Sequence, residues 1–435
     1  MSGTPHRYAL VGTGARATMY TNAVVERSDK ARLVALADTN PHRIEHHAAA
    51  VEAAGAPRPA AYAAADFDRL LTETEPDTVI VTCVDAYHHE YILAALASDC
   101  NVICEKPLTT TGEHAAAILE AERKSAGAVT VTFNYRYNPI HEKVADLLRE
   151  GAVGEVVSVG FDWLLDTRHG ADYFRRWHRL ADQSGGLLVH KSGHHFDLVN
   201  WWLDSAPVQA FARGKLAFYG ENGERHGHDR GYERANGAPQ ASGDPFALDM
   251  KENEQLKALY LDAEEADGYI RDQNVFAPGV TIYDDMMALV DYENGATLSY
   301  RLTAYSPWEG YRVHFNGTEG RLELLVVEND HVNPDQHGPN GAQLHGSAAS
   351  PEEGWYELTV HPFWAKPNRI DVGEYERKGH GGGDRRMLGV LFDGDTDPHD
   401  RSATAQDGVN ALAAGLASNE SIATGQPIAV ADLLK

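Results

Sequence analysis

The sequence predicts an α/β protein in two parts. The N-terminal part is expected to form a doubly wound parallel sheet, and the C-terminal part an α+β domain with an open, mostly antiparallel sheet. Two observations support this division. Up to about residue 135, short β-branched apolar runs alternate with alanine-rich amphipathic stretches, whereas later runs are longer and partly alternating. The expected domains are therefore residues 1–135 and 136–435.

The N-terminal part contains five short runs typical of strands that are buried on both faces. They are RYALVG, RLVALAD, TVIVTCV, NVICE and AVTVTFN. The segments between them are long enough for the helices that cross from one parallel strand to the next.

The longer apolar runs after Arg136 indicate a second sheet. They are VGEVVSVGFDWLL, QAFARGKLAFY, MMALVDYENGATLSYRL, YRVHFNGTEGRLELLV and YELTV. The Asn-Gly pair in YENGAT is typical of a hairpin turn. Two polar stretches rich in Gly, Asn and His, near residues 220–255 and 328–354, are expected to be surface loops or a lid.

Composition and charge exclude several classes of protein. The chain has 435 residues, with 64 Asp and Glu against 38 Lys and Arg, which gives a formal net charge of −26. Such a polyanion repels nucleic acid and anionic lipid, so neither is an expected partner. No run is apolar enough to span a membrane, and the start of the chain does not resemble a signal peptide, so a cytoplasmic protein is expected. Three cysteines without CxxC spacing do not support a disulfide framework.

The most specific motif follows the first predicted strand, where residues 12–17 read GTGARA and open a helix. Gly12 allows a tight turn, Gly14 allows close approach of a pyrophosphate, and Ala17 allows close helix packing. The next strand ends in Asp38, at the distance that the dinucleotide-binding fingerprint requires. The sequence therefore predicts a Rossmann domain. Its expected cofactor contacts from this region are Gly12, Thr13, Gly14, Ala15, Arg16, Asp38 and Thr39.

Asp38 indicates which dinucleotide is expected. Its carboxylate would accept hydrogen bonds from the ribose hydroxyls of NAD and repel the 2′-phosphate of NADP. Arg43 is close enough in sequence to leave NADP open. Asp38 could also cap the helix that starts near Asn40-Pro41, which is compatible with binding.

Several motifs together resemble the glucose-fructose oxidoreductase/inositol dehydrogenase/MocA family. Residues 102–107 read VICEKP and resemble that family's EKP motif, and they follow Thr82 and His88. The likeness continues through NYRYNP at 134–139, GAVGEV at 151–156, the glycine pair at 185–186 and DGVNALAAGLASNESI at 407–422. It therefore covers nearly the whole chain.

The resemblance implies NAD(P) bound to the Rossmann domain and a sugar or cyclic polyol held between the two domains. It implies that Lys106 touches both the substrate hydroxyl and the nicotinamide side. The family's second-domain motif has an Asp and a His four residues apart; His194 matches the His, but His190 occupies the Asp position. Further cofactor contacts are expected at Thr82, His88, Glu105 and Asn134. A homodimer or homotetramer is also expected from the resemblance alone.

The difference from the family pattern lies in residues 184–203. This segment has helical spacing from about Leu187, with Ser184 as the candidate N-cap. His190, His194 and Asp197 fall at i, i+4 and i+7, and therefore on one face. Oxidation of an alcohol by hydride transfer needs a group that takes the hydroxyl proton, and histidine titrates in the right range. His194 is the expected acid/base, with Lys106 stabilising the developing alkoxide and His190 relaying protons or contacting a neighbouring hydroxyl. A purely structural role for the histidines stays open.

A metal site is an alternative for the same helix. Histidines at i and i+4 can bind Zn²⁺, with Asp197, His195 or His380 as a further ligand, but the Glu of HExxH is missing. No metal is therefore assigned. Asp384 could cap the helix that follows it. The candidate substrate contacts are Arg136, Lys191, His195, Arg271 and His380.

The function expected from these features is an NAD(P)-dependent oxidoreductase. It would transfer a hydride between the nicotinamide cofactor and a hydroxyl-bearing carbon of a sugar, sugar derivative or cyclic polyol. One alternative is an NAD-dependent glycoside-cleaving enzyme, which oxidises a ring carbon transiently, eliminates the aglycone and reduces the ring again, with or without a metal. A cofactor-binding regulator without turnover is the other alternative.

Overall fold

The computed structural model describes residues 4–228, 231–332, 354–375 and 378–434. The chain divides into two compact units. Unit 1 comprises Met1–Phe133, Asp249–Arg271 and Met387–Val409, and unit 2 comprises Asn134–Leu248, Asp272–Arg386 and Asn410–Lys435. The first segment of unit 1 thus ends close to the expected boundary at 135. Two later segments also belong to unit 1, which the sequence did not predict.

Unit 1 contains the expected doubly wound parallel sheet. Its strands are β1 (His6–Val11), β2 (Ala31–Asp38), β3 (Ala60–Ala63), β4 (Thr78–Val81), β5 (Asn101–Cys104), β6 (Val129–Val131) and β15 (Ala403–Thr404). The strand order is β15-β6-β5-β4-β1-β2-β3, and all pairs are parallel except β15 with β6. Val11 pairs with both Ala37 and Val81, so the carboxyl ends of β1, β2 and β4 meet at one edge of the sheet.

Helices cover the sheet of unit 1 because its central strands are apolar on both faces. Consecutive residues of β1 and β4, such as Ala9-Leu10 and Val79-Ile80, are fully buried. The helices are α1 (Ala17–Val25), α2 (Pro41–Ala53), α3 (Phe67–Thr74), α4 (His88–Ala97), α5 (Gly112–Glu122), α11 (Glu254–Leu256) and α12 (Glu264–Asp267), with π-helical turns at Lys257–Leu261 and Gly389–Asp393.

Unit 2 contains the expected open, mostly antiparallel sheet of nine strands. They are β7 (Val156–Asp166), β8 (Pro207–Lys215), β9 (Asp285–Tyr292), β10 (Thr297–Ser306), β11 (Glu309–Gly317), β12 (Gly320–Asn329), β13 (Trp355–Pro362), β14 (Asn368–Ile370) and β16 (Ile428–Ala429). The order is β14-β13-β12-β11-β7-β10-β9-β8-β16, and only the central pair β7–β10 is parallel. The predicted Asn294-Gly295 turn joins β9 to β10.

One face of this sheet forms the core of unit 2. On β10, Leu298, Tyr300 and Leu302 are buried, and the residues between them face outward. The helices of unit 2 are α6 (Pro139–Arg149), α7 (Thr167–Arg175), α8 (Ala181–Ser184), α9 (Leu187–His190), α10 (Ser192–Leu203) and α13 (Lys378–Gly381). The residues of α14 (Gly383–Leu388) and α15 (Ala405–Thr424) are divided between the two units.

Short 3-10 helices occupy many of the connections. They are Ala64–Asp66, Asp85–Tyr87, Asn134–Tyr137, Trp177–Arg179, Gly220–His226, Pro239–Ala241, Met250–Glu252 and Val430–Asp432. Three of them lie in the polar stretch expected to be a loop near 220–255. The other expected loop, 328–354, falls almost entirely outside the described residues. In the described part of the chain, no helix has the length and apolar character needed to cross a bilayer.

Candidate active site

The glycine turn of unit 1 lies at the edge where β1, β2 and β4 end. Gly12 has φ +91°, and a Cβ atom added there would lie 2.3 Å from the backbone nitrogen of Cys83. Only glycine therefore fits, as the sequence predicted. The backbone carbonyl of Gly12 accepts a hydrogen bond of 2.6 Å from the hydroxyl of Thr82. Thr82, expected to contact the cofactor, thus fixes the turn.

Asp38 ends β2 beside this turn, and its carboxylate is buried. It accepts hydrogen bonds from the backbone nitrogen of Thr13 at 2.5 Å, the hydroxyl of Thr13 at 2.9 Å and the backbone nitrogen of Asn40 at 2.8 Å. Asp38 does not cap α2, because the side chain of Asn40 accepts the hydrogen bonds at that helix start. The Thr13 side chain is fully buried, so it orients Asp38.

His47 supports the same turn, a role that the sequence analysis did not anticipate. Its Nε2 lies 3.1 Å from the carbonyl oxygen of Thr13. Burial, the largest cause, lowers the pKa of His47 to about 4. The imidazole is therefore neutral near neutral pH, and Nε2 can donate to that carbonyl while staying uncharged.

Glu105 and Arg16 form an ion pair next to the turn. The Glu105 carboxylate is buried, lies 2.5 Å from Nε of Arg16 and accepts a 2.7 Å hydrogen bond from the hydroxyl of Tyr20. Burial alone would raise the pKa of Glu105, but the charges of Arg16 and Lys106 outweigh it and the pKa is lowered. A buried ionised Glu105 thus joins the end of β5 to the start of α1, with Lys106 next in sequence.

His88 contacts the backbone of Pro107, the residue after Lys106. Its two ring nitrogens are 2.8 Å from the carbonyl oxygen of Pro107 and 3.2 Å from that of Cys83, and the ring is almost fully buried. Burial lowers the pKa of His88. A neutral imidazole carries one N–H, so it donates to one of these two carbonyls. Donation to Pro107, at the shorter distance, fixes the backbone next to Lys106.

The residues of unit 1 fit a bound dinucleotide. The turn packs directly against the backbone of Cys83, which leaves no room for a Cβ atom at Gly12, and Asp38 is held beside the turn. Nη2 of Arg43, near Asp38, is buried and has no hydrogen-bond partner in the part of the chain that the structure describes, so it can serve a ligand oxygen. The backbone N–H groups of Gly12, Thr13 and Ala15 already donate to Ala37, Asp38 and Tyr260. The turn would therefore receive the pyrophosphate at Gly14, and Asp38 would hold the adenosine ribose.

In unit 2, the helix expected from Leu187 onward is divided into α9 and α10. Ser184 is not its N-cap. It ends α8, where its hydroxyl donates to the carbonyls of His178 and Leu180 and accepts from the backbone nitrogen of Gly186. Gly185 and Gly186, both with positive φ, separate α8 from α9. The chain changes direction at these glycines, so the helix starts later than the N-cap rule applied to Ser184 predicts.

The rings of His190 and His194 have different aromatic neighbours. His190 packs edge-on against His178, with ring centroids 4.1 Å apart. The His194 ring stacks on Tyr135 at 4.4 Å and lies 6.2 Å from the ring of His380. The structure therefore brings together two predicted site residues, His194 and His380, that are far apart in the sequence.

Tyr135 is the centre of this group, and the sequence analysis did not single it out. Lys191 Nζ donates a 3.1 Å hydrogen bond to the Tyr135 hydroxyl, and the same ammonium lies 4.8 Å from the ring centroid of Trp163. His141 Nδ1 lies 2.8 Å from the Tyr135 carbonyl. Burial raises the pKa of Tyr135, so its hydroxyl stays protonated. The one feature of the sequence that could have indicated a role for Tyr135 is its position in the NYRYNP motif at 134–139.

Asn134, His380 and Asp384 form a polar triad. Asn134 Nδ2 donates to Asp384 Oδ1 at 2.7 Å and lies 2.9 Å from His380 Nδ1. His380 Nδ1 is also 2.9 Å from Asp384 Oδ2. Asp384 lies inside α14 rather than before it, so it is not the expected cap and instead orients the His380 imidazole. The cofactor contact expected of Asn134 stays a prediction.

Arg136 and Asp197 pair with each other inside unit 2. Nε and Nη2 of Arg136 donate to the two oxygens of Asp197 at 2.9 and 2.6 Å, and the side chains are 3% and 0% exposed. Their charges compensate each other, so Arg136 ties two parts of unit 2 together. We therefore do not include Arg136 among the substrate contacts, nor Asp197 among metal ligands.

Two further candidates contact aromatic side chains of their own units, and their expected substrate contacts stay predictions. His195 is fully buried, stacks on Trp163 at 4.2 Å and lies 2.7 Å from the hydroxyl of Tyr300, which donates to Ser192. Arg271 belongs to unit 1 and lies over the ring of Tyr260. Among the described residues, no group of three or more His, Cys, Asp or Glu side chains is arranged to hold a metal ion.

Comparisons with known proteins agree with this architecture. Residues 6–133 match the oxidoreductase family's NAD-binding Rossmann fold, and residues 145–430 match its C-terminal alpha/beta domain. YteT of Bacillus subtilis strain 168, whose name assigns it to the oxidoreductases, is 38% identical over 386 residues, 85% of each chain. Inositol 2-dehydrogenase of Rubrobacter xylanophilus is 30% identical over 223 residues, 49% of this chain and 57% of the relative.

A solved structure shows the same fold over almost the whole chain. The WlbA dehydrogenase from Bordetella pertussis, in complex with NADH and UDP-GlcNAcA, has a TM-score of 0.63 at 17% identity and covers 98% of this chain and 99% of its own. The chain is therefore an enzyme of the glucose-fructose oxidoreductase/inositol dehydrogenase/MocA oxidoreductase family, with an N-terminal NAD-binding Rossmann domain.

Proposed function

We propose that the protein is an NAD-dependent dehydrogenase that acts on a CH–OH group of a sugar derivative or cyclic polyol. The observation that carries the proposal is the group of proton-carrying side chains around Tyr135, which includes His194, Lys191 and His380. The names of relatives support the substrate class: one is an inositol 2-dehydrogenase, and one structural neighbour was crystallised with NADH and a UDP-sugar.

NAD, when bound, supplies the hydride acceptor for the substrate carbon. The protein must then take the hydroxyl proton and stabilise negative charge on the substrate oxygen. We assign the proton to the imidazole of His194, which stacking on Tyr135 holds in a fixed plane. The Lys106 ammonium is assigned the stabilisation of the developing alkoxide.

Neighbouring side chains of unit 2 position His194 and add further contacts. The Lys191–Tyr135 hydrogen bond fixes the aromatic surface on which His194 lies. His380, oriented by Asp384, is the proposed contact for a further substrate hydroxyl, which suits a polyhydroxylated ring. His190 is assigned a positioning role through its contact with His178.

The test is a turnover assay. Purified protein is incubated with NAD⁺ and a panel of inositols, hexoses, uronic acids and nucleotide sugars while NADH absorbance is followed. Lys106→Met and His194→Asn are each expected to lower kcat by about a hundredfold or more, because each removes a group that acts on the transferred proton or the charge it leaves. Lys124→Met, at an exposed lysine paired with Glu120, and His42→Asn, at an exposed histidine, are the matched controls and should retain full activity.

Other outcomes assign the protein to the alternatives. Release of an aglycone from glycosides without accumulation of NADH would indicate redox-neutral cleavage. Absence of any turnover over the whole panel, with NAD⁺ binding demonstrated by calorimetry, would contradict the proposal and favour a cofactor-binding regulator.

We also propose a homodimer or homotetramer. The resemblance to the family suggests it, and β9 presents the exposed apolar side chains of Met287 and Leu289 on the open face of the sheet. Light scattering on the purified chain measures its mass directly, and a monomer would contradict this part of the proposal.

A further inference from the structure

Residues Asp249–Arg271, here named the return segment, lie in the sequence between two segments of unit 2 but belong to unit 1. Gln255 Nε2 donates to the hydroxyl of Thr18 at 2.7 Å, near the start of α1. The hydroxyl of Tyr260 accepts a 3.0 Å hydrogen bond from the backbone nitrogen of Ala15, inside the glycine turn. The segment is therefore bound directly to the predicted dinucleotide site.

A second set of contacts reaches the start of α2, next to Asp38. Asn40 Nδ2 donates to the carbonyl of Ala263 at 2.9 Å, and Arg43 Nε donates to the carbonyl of Leu259 at 2.9 Å. The Arg43 guanidinium lies 5.3 Å from the ring centroid of Tyr260. Backbone and aromatic contacts from the return segment thus hold Arg43 in one place.

Arg43 is also paired with a carboxylate of the return segment. Its Nη1 is 2.8 Å from Asp267 Oδ2 and 3.8 Å from Asp38 Oδ1. The side chains of Arg43 and Asp267 are only 9% and 15% exposed, so water screens this pair weakly. One guanidinium therefore faces two carboxylates, and the group as a whole carries a negative charge.

This charge arrangement distinguishes between the two dinucleotides. The 2′-hydroxyl of NAD is neutral, and its oxygen can accept a hydrogen bond from the buried Nη2 of Arg43. The 2′-phosphate of NADP would add a charge of about −1.5 to −2 to a group that is already negative. The positive charge of Arg43 is already compensated by the carboxylate of Asp267. Arg43 therefore cannot also compensate the charge of the 2′-phosphate.

We propose that Asp267 determines the cofactor preference: by holding Arg43 against the return segment, it makes unit 1 select NAD over NADP. This inference deepens the proposed function and rests on it for the use of the cofactor. It assigns selectivity to a residue far from the fingerprint in sequence. It also explains why an arginine beside Asp38, which suggested NADP as an alternative, does not make the site an NADP site.

The test measures the dissociation constants of NAD⁺ and NADP⁺ by isothermal titration calorimetry on the full chain. Asp267→Asn removes one carboxylate charge and frees Arg43, so the ratio of Kd for NADP⁺ to Kd for NAD⁺ should fall by about tenfold or more, mainly through tighter NADP⁺ binding. Asp262→Asn is the matched control. It removes a carboxylate of the same segment that is 51% exposed and pairs with Lys257, and the ratio should not change.

A second variant keeps the inference testable if Asp267→Asn folds poorly. Arg43→Gln should still bind NAD⁺ more tightly than NADP⁺, because the paired arginine contributes little to NADP⁺ binding and NAD⁺ loses only the hydrogen bond from Nη2. Adding Arg43→Gln to Asp267→Asn should abolish the gain in NADP⁺ affinity. An unchanged ratio in Asp267→Asn, a large loss of NADP⁺ affinity in Arg43→Gln alone, or tighter binding of NADP⁺ than NAD⁺ by the unmodified protein would each overturn the inference.

The binding experiment also separates this inference from the proposed function. A chain that binds NAD⁺ with the expected preference but oxidises no substrate contradicts the proposed dehydrogenase activity alone. A chain that oxidises a polyol but prefers NADP⁺ contradicts the role of Asp267 alone.

Discussion

Acidification should destabilise unit 2 through one buried histidine, His141. This residue lies in α6, with Nδ1 2.8 Å from the carbonyl of Tyr135 and Nε2 2.7 Å from the hydroxyl of Tyr311. Burial lowers the pKa of His141 to about 4. The neutral ring therefore holds Tyr135 in place, and protonation would put an unpaired charge in the core.

The size of the effect follows from the difference between the folded and unfolded pKa values. In the unfolded chain, a histidine has a pKa of about 6.5, so the unfolded state binds the proton first as the pH falls. The stability contributed by neutral His141 is complete above about pH 6.5 and is lost as the pH falls towards about 4. At about pH 5, the unfolded histidine is almost fully protonated and the folded one about one-tenth protonated, which lowers the free energy of unfolding by about 2 kcal/mol relative to pH 7.

Urea unfolding followed by tryptophan fluorescence measures this change in the right unit, because all seven tryptophans belong to unit 2. His141→Gln keeps a donor and an acceptor but does not titrate. The free energy of unfolding of the original protein should therefore fall by about 2 kcal/mol more between about pH 7 and 5 than that of the variant. His226→Gln, at an exposed position of unit 2, is the control. Equal pH dependence in the original protein and His141→Gln would refute the reasoning.

Two further predictions concern residues that fix the two units. Asp197→Asn should lower the free energy of unfolding of unit 2 by about 3–5 kcal/mol in the same urea assay, because it leaves the buried Arg136 without its counter-ion. The double variant with Arg136→Gln should recover part of this loss. A loss equal to the sum of the two single variants would argue against the pair. Gly12→Ala should abolish calorimetric NAD⁺ binding, because its Cβ would lie 2.3 Å from a backbone atom of Cys83, whereas Gly55→Ala, at a left-handed turn with open space around it, should cost stability but retain binding.

The sequence patterns predicted the architecture well where burial repeats regularly. The five runs expected to be parallel strands form β1, β2, β4, β5 and β6, because continuous apolar runs in crossover topology have few other stable arrangements. Four strands were missed: β3 and β15 in unit 1, and β14 and β16 in unit 2. β3 reads AAYA, which has little strand character, and β15 has two residues and pairs only at the edge of the sheet.

The candidate site was predictable in part. Glycine requirements are local, so the role of Gly12 followed directly from its motif. The partner of a polar side chain is not local: the periodicity placed Asp197 on a helix face with His194, but it could not reveal Arg136 as its partner. The same limit applies to Tyr135, whose neighbours come from three distant parts of the chain.

The return segment illustrates a further limit of sequence patterns. Only its first residues, up to 255, fall in a stretch that was expected to be a surface loop. Composition does not say which sheet a surface segment packs on, because the deciding contacts are single hydrogen bonds such as that from Ala15 to Tyr260. The ion pair between Arg43 and Asp267 forms because the return segment packs on the sheet of unit 1.

The discontinuous build of unit 1 has a consequence for its biosynthesis and for fragment design. A recombinant fragment that stops at Phe133 would contain the whole glycine turn but would lack Tyr260, Asp267 and strand β15. On the ribosome, the nucleotide-binding unit likewise cannot be completed until the chain has been translated past Val409. During synthesis, most of unit 2 therefore emerges before unit 1 has all of its parts.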